Sequence, residues 1–365
     1  MTWRKRSWRA EFKLAVECCK SGFRGSRPET QAVPAEVDWS RFSKYVAFHR
    51  IEGLAADFLA ENDGPAPPKV RSALSEAAAS IAARNLEATA DCRAISRAFK
   101  RAAIPLLFLK GLPVSVLAYR KPLIKAAIDI DLLIDPKDLS PAATALRQCG
   151  YALAAPRESP NDGTLKAWHR AWKESVWVKR GTGQVDLHTR LTDHPRLIEG
   201  ITVHSRSQIV NAGNEVLLPT LAPEELFAYL AVHGATSSWF RLKWISDFAG
   251  LLHDRSDEEI EHLYRRSQEL GAGRAPGQAL LLADELFGTL EQAPSLRQRL
   301  IEDGATRRLY LTALGLLTRE PREPTSQLMT TVGIRWRQLH LLPGPGYTLS
   351  ELAGQIRRIV TRPET

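Results

Sequence analysis

The stretch Ile124–Asp135, IKAAIDIDLLID, decides how this 365-residue chain is read. It is apolar enough to be a strand buried in a sheet, yet it carries Asp129 and Asp131 two residues apart. A carboxylate removed from water is costly unless a cation or hydrogen-bond donors compensate it. Residues two apart on a strand project from one face. The two aspartates therefore stand together, and Ile128, Ile130, Leu132 and Ile134 are expected to enter a core on the other side. Adjacent carboxylates repel, and one takes up a proton unless a cation lies between them. Oxygen ligands at this spacing suit Mg²⁺ or Mn²⁺, which leave room for substrate phosphates. A D-x-D pair alone also fits an ordinary surface strand.

The flanking sequence narrows the choice. Upstream, FLKGLPVSVLAY (108–119) sets Lys110 and Gly111 between an apolar strand and a helix with Pro113 in its first turn. A strand–Gly–helix junction aims backbone N–H groups at an anion, and Lys110 adds a point charge for phosphate. Ser115, one turn in, is a weaker phosphate candidate, because helix-facing serines are often merely solvated. Downstream, QVDLHTRL (184–191) puts Asp186 and His188 on one strand face and Val185 and Leu187 on the other. A third carboxylate on a neighbouring strand completes a two-metal site.

Composition sets wider bounds. With 44% hydrophobic and 25% charged residues, wholesale disorder is excluded. The formal charge of +9 favours an anionic partner, but the basic residues are spread along the chain with no aromatic-interleaved basic motif. That argues against nucleic acid as the partner. Cys18, Cys19, Cys92 and Cys149 form no zinc-type spacing, and they read as free thiols of a reducing, cytoplasmic protein. The basic start lacks the apolar run of a secretion signal, and no segment approaches the length of a membrane span. A peripheral membrane contact through Trp3 and Trp8 competes with an ordinary amphipathic helix.

Along the chain, residues 70–102 run without Gly or Pro and are rich in Ala, Leu, Glu and Arg, which predicts a long helix. Short apolar runs at 104–111, 128–135, 175–180 and 184–191 alternate with a capped helix at 140–150. After LLPTLAPEEL (217–226) the helical period returns, with Phe240, Trp244, Phe248 and Leu251 on one stripe. The expected fold class is α+β. A helical N-terminal region (1–100) and a helical C-terminal domain (221–365) flank a core with a small mixed sheet (101–220).

The ordered set of motifs resembles a known group. FLKG (108–111), DIDLLI (129–134), VDLH (185–188) and HGATSSWFRLKWISD (233–247) are similar to the bacterial uncharacterised nucleotidyltransferase family of the polymerase-β-type superfamily. DWSRFSKYVAFHRIEGL (38–54) matches its helical lead-in, so the likeness spans roughly 38–255. The resemblance implies a metal-dependent transfer of a nucleoside monophosphate from an NTP to an acceptor hydroxyl or phosphate on a small molecule, peptide or protein. Asp129, Asp131 and Asp186 would be the catalytic, metal-holding carboxylates. Lys110, Gly111, Ser115, Lys125, His188, His233, Arg241 and Lys243 would serve the nucleotide. Other readings stay open for several of these. His188 fits a structural histidine, Trp239 and Trp244 fit core, and Lys243 with Asp247 fits an i,i+4 pair. Lys125 stands where the family has Arg, and Ile128 where it has a small residue. Both motivate the alternative of a degenerate relative that binds nucleotide or a partner without turnover.

Overall fold

The computed structural model describes residues 8–24, 33, 36–62, 64–126, 128–157, 162–181, 183–321 and 328–360. Trp3 lies outside them. Four helices come first: α1 (Ala10–Arg24), α2 (Trp39–His49), α3 (Glu52–Glu61) and the 34-residue α4 (Pro68–Arg101). The sheet region follows as β1 (Leu107–Phe108), α5 (Leu112–Tyr119), β2 (Asp129–Leu133), α6 (Leu139–Gln148), β3 (Ala152–Ala155), α7 (Asp162–Ala171), β4 (Glu174–Val178) and β5 (Gln184–His188). A two-stranded hairpin, β6 (Ser207–Asn211) and β7 (Leu217–Leu221), leads into α8 (Pro223–Thr236) and α9 (Leu242–Gly250). The remaining helices are α10 (Asp257–Glu269), α11 (Ala275–Phe287), α12 (Pro294–Glu302), α13 (Gly304–Leu317), α14 (Leu328–Gln338) and α15 (Pro345–Val360). The molecule is thus mixed helix and sheet, with a small mixed sheet between helical stretches.

The main sheet has the order β1-β2-β5-β4-β3. Its central pair, β2 and β5, is parallel, and every other neighbouring pair is antiparallel. A parallel pair needs a long crossover, here the chain from α6 through β4. The register sets Asp131 opposite Asp186 and Asp129 opposite Gln184. On one face, Ile130, Leu132, Val185, Leu187 and Trp177 pack with Ile95 and Phe99 of α4 and Leu146 of α6. The aspartates occupy the other face, on which Leu133 joins a second apolar cluster.

That second cluster draws on both ends of the chain. Phe12, Phe42, Tyr45 and Leu54 from the first three helices share it with Phe227, Ile245, Phe248 and Leu280 from α8, α9 and α11. Where α3 meets the loop before β2, Gly53 lets the chains touch: a Cβ there would lie 1.8 Å from the Ile124 carbonyl oxygen.

Two expectations need correction. Ile128 does not enter a core but is 48% exposed. The ladder opens at Asp129, one residue later, so nothing fixes Ile128 against the sheet. Phe240 precedes α9 rather than sharing its stripe. The four cysteines are free thiols, as expected. Among the described residues no helix is long and apolar enough to cross a membrane.

Candidate active site

Asp129, Asp131 and Asp186 come together at the centre of the sheet. One carboxylate oxygen of each lies within 4.8 Å of the others. Parallel pairing of β2 with β5 does this directly, because it aligns two strands whose acidic residues already share a face.

Each carboxylate has its own surroundings. Asp131 is 2% exposed. Its Oδ1 accepts from Lys110 Nζ at 2.9 Å and lies 3.1 Å from His188 Nε2. Burial alone would raise its pKa, but Lys110 and His188 outweigh it and hold the group ionised, well below the usual carboxylate range. Its Oδ2 is buried without a hydrogen-bond partner. Such an orphaned acceptor is costly. Asp186 is pushed up to about 7 by burial, then by the charges of Asp131, Glu174 and Asp129. Gln184 Nε2 donates to its Oδ1 at 2.7 Å. Asp129 is also raised, by burial and by Asp131.

Three crowded carboxylates, two of them held towards neutrality and one with a bare buried oxygen, fit a hard divalent cation. Asp129, Asp131 and Asp186 are the residues that would hold it.

His188 is buried, and burial followed by the Lys173 charge depresses its pKa, so the ring is neutral. With carboxylates of Asp131 and Glu174 at 3.1 and 3.3 Å, Nε2 carries the proton and donates. It thereby fixes Asp131 Oδ1 and leaves Oδ2 for a ligand. Glu174, directly opposite His188 in the β4–β5 ladder, is paired with Lys173. No short motif marks Glu174 in the sequence; its role depends on pairing across strands.

Gly111 opens α5 at φ 68°, ψ −120°, a conformation that requires glycine. Beside it lies a cavity of about 160 Å³ lined by Lys110, Gly111, Lys125, Asp129, His233 and Lys243, with Arg50 and Trp244 among the other walls. The cations are not equivalent. Lys110 is held by Asp131, and Lys125 forms a buried ion pair with Asp247. Asp247 also accepts from Tyr119 Oη at 2.9 Å. It is therefore Lys125, not Lys243, that pairs with Asp247, because the loop before β2 brings Lys125 into the same buried space. Lys243 is pushed down to about 8 by burial and by Lys125. His233 is neutral, lowered by burial and by Lys110.

Two expected nucleotide residues are engaged elsewhere. The Ser115 hydroxyl is buried and donates to the Lys121 carbonyl at 2.8 Å, which ties down the turn after α5. Arg241 donates to the Phe48 carbonyl, and its guanidinium lies over both the Phe48 and the Phe240 ring. Trp239 is fully buried core, and Trp244 borders the cavity. Arg50 was not singled out by any motif. It lines this cavity and a second one of about 590 Å³ between α4 and the edge of β2, and Asp129 and Ala126 border both.

The motif set is matched by a family-wide comparison: residues 35–288 fit the family described as "Uncharacterised nucleotidyltransferase". The chain belongs to this family. The match runs from just before α2 to the end of α11 and includes all the strands among the described residues and the whole carboxylate cluster. No curated protein matches the chain.

Proposed function

We propose that the chain is a polymerase-β-type nucleotidyltransferase that moves a nucleoside monophosphate from an NTP to a hydroxyl or phosphate acceptor on a small molecule, peptide or protein. The observation that carries this reading is the Asp129/Asp131/Asp186 cluster beside a basic cavity that opens at a glycine-started helix. Family membership supports the same class of chemistry.

The residues divide the work. The backbone after Gly111 and Lys243 of α9 bind phosphate oxygens, and Lys110, held by Asp131, adds positive charge beside them. His188 orients Asp131 through its Nε2 proton. The acceptor oxygen bonds to the α-phosphorus while the bond to the β-phosphate oxygen breaks. Pyrophosphate leaves with that electron pair. With an acceptor hydroxyl, the carboxylate of Asp186 takes up the proton. A divalent ion, when bound, supplies neutralisation of phosphate charge and polarisation of the attacking oxygen. The rest is positioning, which is worth several orders of magnitude in rate.

The test is label transfer. Protein is incubated with Mg²⁺ or Mn²⁺, labelled NTPs and lysate as the acceptor source. Loss of transfer in Asp129→Ala/Asp131→Ala is expected, and equal transfer by wild type and variant would overturn the reading. The alternative, a degenerate relative, is favoured by nucleotide binding that persists without metal together with no turnover on any acceptor. Lys125 and Ile128 motivated it. In the structure Lys125 is a buried structural partner and Ile128 stands at the rim of the larger cavity. All three carboxylates are present.

A further inference from the structure

The turn between α2 and α3 places an arginine where a glycine would be easier. Arg50 caps α2 at φ 57°, ψ 48°. Its N–H donates to the Ala47 carbonyl at 3.2 Å, and the next N–H, Ile51, donates to Val46 at 3.1 Å. This is the helix-ending turn whose left-handed residue is ordinarily glycine, because a Cβ is unfavourable there. A side chain kept at such a position calls for a reason outside the turn.

Its surroundings supply one. Arg50 lies on the wall shared by the two cavities, alongside Asp129. Lys110 and Lys125 are already bound to Asp131 and Asp247. Among the described residues, Arg50 and Lys243 make no ion pair and no side-chain hydrogen bond. The corner itself is braced. Arg241 grips the Phe48 carbonyl, and the Leu242 N–H donates to His49 Nδ1 at 3.1 Å. The buried His49 ring accepts that bond because burial, then Arg241, push its pKa down to about 3 and keep it neutral.

We propose that Arg50, with Lys243, forms an oxyanion subsite for the phosphoryl group that passes between the two cavities, and that Arg241 is a positioning residue acting through Arg50. The ligand class is a polyphosphate chain with non-bridging oxygens presented at Asp129. The fork of a guanidinium suits such oxygens better than an ammonium does. The transfer of that group rests on the nucleotidyltransferase reading; the anion subsite rests on Arg50 and Lys243 beside Asp129.

The decisive variant is Arg50→Gly, since glycine relieves the turn. Three quantities are measured on the full chain: thermal midpoint, Mn²⁺ affinity, and affinity for inorganic tripolyphosphate, with label transfer alongside. Arg50→Gly is expected to melt at or above wild type and to bind Mn²⁺ unchanged. It should lose tripolyphosphate affinity by ~10- to 100-fold, the size of a charge-assisted contact, with transfer falling in step. Arg50→Lys should recover part of that affinity. Arg241→Ala should cause a similar loss in wild type but no further loss on the Arg50→Gly background. Unchanged tripolyphosphate affinity in Arg50→Gly overturns the subsite, as does a wild type that binds no tripolyphosphate. Additive losses overturn the positioning role. Arg50-dependent tripolyphosphate binding without transfer leaves the subsite standing and sinks the nucleotidyltransferase reading instead.

Discussion

Replacing Asp186 with Asn should stabilise the metal-free protein by an amount that grows as pH rises from about 4 to about 7 and then holds. In the fold this carboxyl titrates at about 7, against an ordinary value of 3.8. Between those values the folded protein keeps a proton that the unfolded chain has lost. The contribution to stability therefore falls as pH rises from about 4 to about 7, and the full penalty stands above 7. A shift of about three units corresponds to about 4 kcal/mol at 1.36 kcal/mol per unit, an upper bound because neighbouring carboxylates relax together. Asp186 is only 8% exposed, so solvent screening removes little of it. Asn keeps the shape and the bond from Gln184. Urea midpoints would be read from pH 4 to 8.5 in chelator, as the difference between variant and wild type. Differencing matters because buried His49 and His169, lowered to about 3 and about 4, add stability with the opposite slope as pH rises towards 6.5. The expected difference is near zero at pH 4 and about 2–4 kcal/mol in favour of Asn at pH 8. Mn²⁺ should then stabilise wild type at pH 8 far more than the variant. A flat difference curve, or an Asn variant less stable than wild type at pH 8 in chelator, refutes the account of three crowded carboxylates awaiting a cation.

Other consequences are easily checked. Asp247→Ala leaves Lys125 buried without its partner, 4% exposed and beside Lys243. Denaturant titration should show a loss of about 3–5 kcal/mol, with most of it recovered when Lys125→Met and Asp247→Leu are combined. Lys243→Met removes a cation whose pKa is lowered from 10.5 to about 8. That penalty is complete below pH 8 and fades towards 10.5, so the variant should gain about 1–2 kcal/mol at pH 7 after allowance for partial exposure, while tripolyphosphate binding measured by calorimetry weakens. Gly53→Ala drives a Cβ into the Ile124 carbonyl and must displace the loop that carries Lys125. A loss of about 1–3 kcal/mol in chemical denaturation is expected.

What could be read from the chain alone was what is local or periodic. Asp129 and Asp131 announce themselves because strand alternation fixes their common face, and Lys110–Gly111 because a glycine junction has a sequence signature. The long α4 follows from composition. The remainder depends on partners distant in sequence. Lys125 and Asp247 are 122 residues apart, and nothing in either segment states that they meet. Arg241 resembles a phosphate ligand by residue type, yet it serves a carbonyl 193 positions away. Glu174 lies in no recognisable motif, and Arg50, though inside the 38–54 lead-in, is not marked there as a site residue, since each gains its place through packing of one element on another. Ile128 was misplaced because alternation predicts faces only within a ladder, and the ladder starts one residue later.

The apolar cluster built jointly by the first three helices and by α8, α9 and α11 has a consequence during synthesis. Arg24 ends α1 and Leu242 begins α9, so more than two hundred residues must be made before the early helices meet the late ones. At roughly 5–20 residues per second, that interval is on the order of 10–40 seconds. Throughout it, Phe12, Phe42 and Tyr45 have no late partners to cover them. The corner bearing Arg50 likewise lacks its brace until Arg241 and Leu242 emerge. Exposed aromatic surface therefore persists through that interval, and the basic cavity comes into being only after Lys243 and Asp247 of α9 have been made.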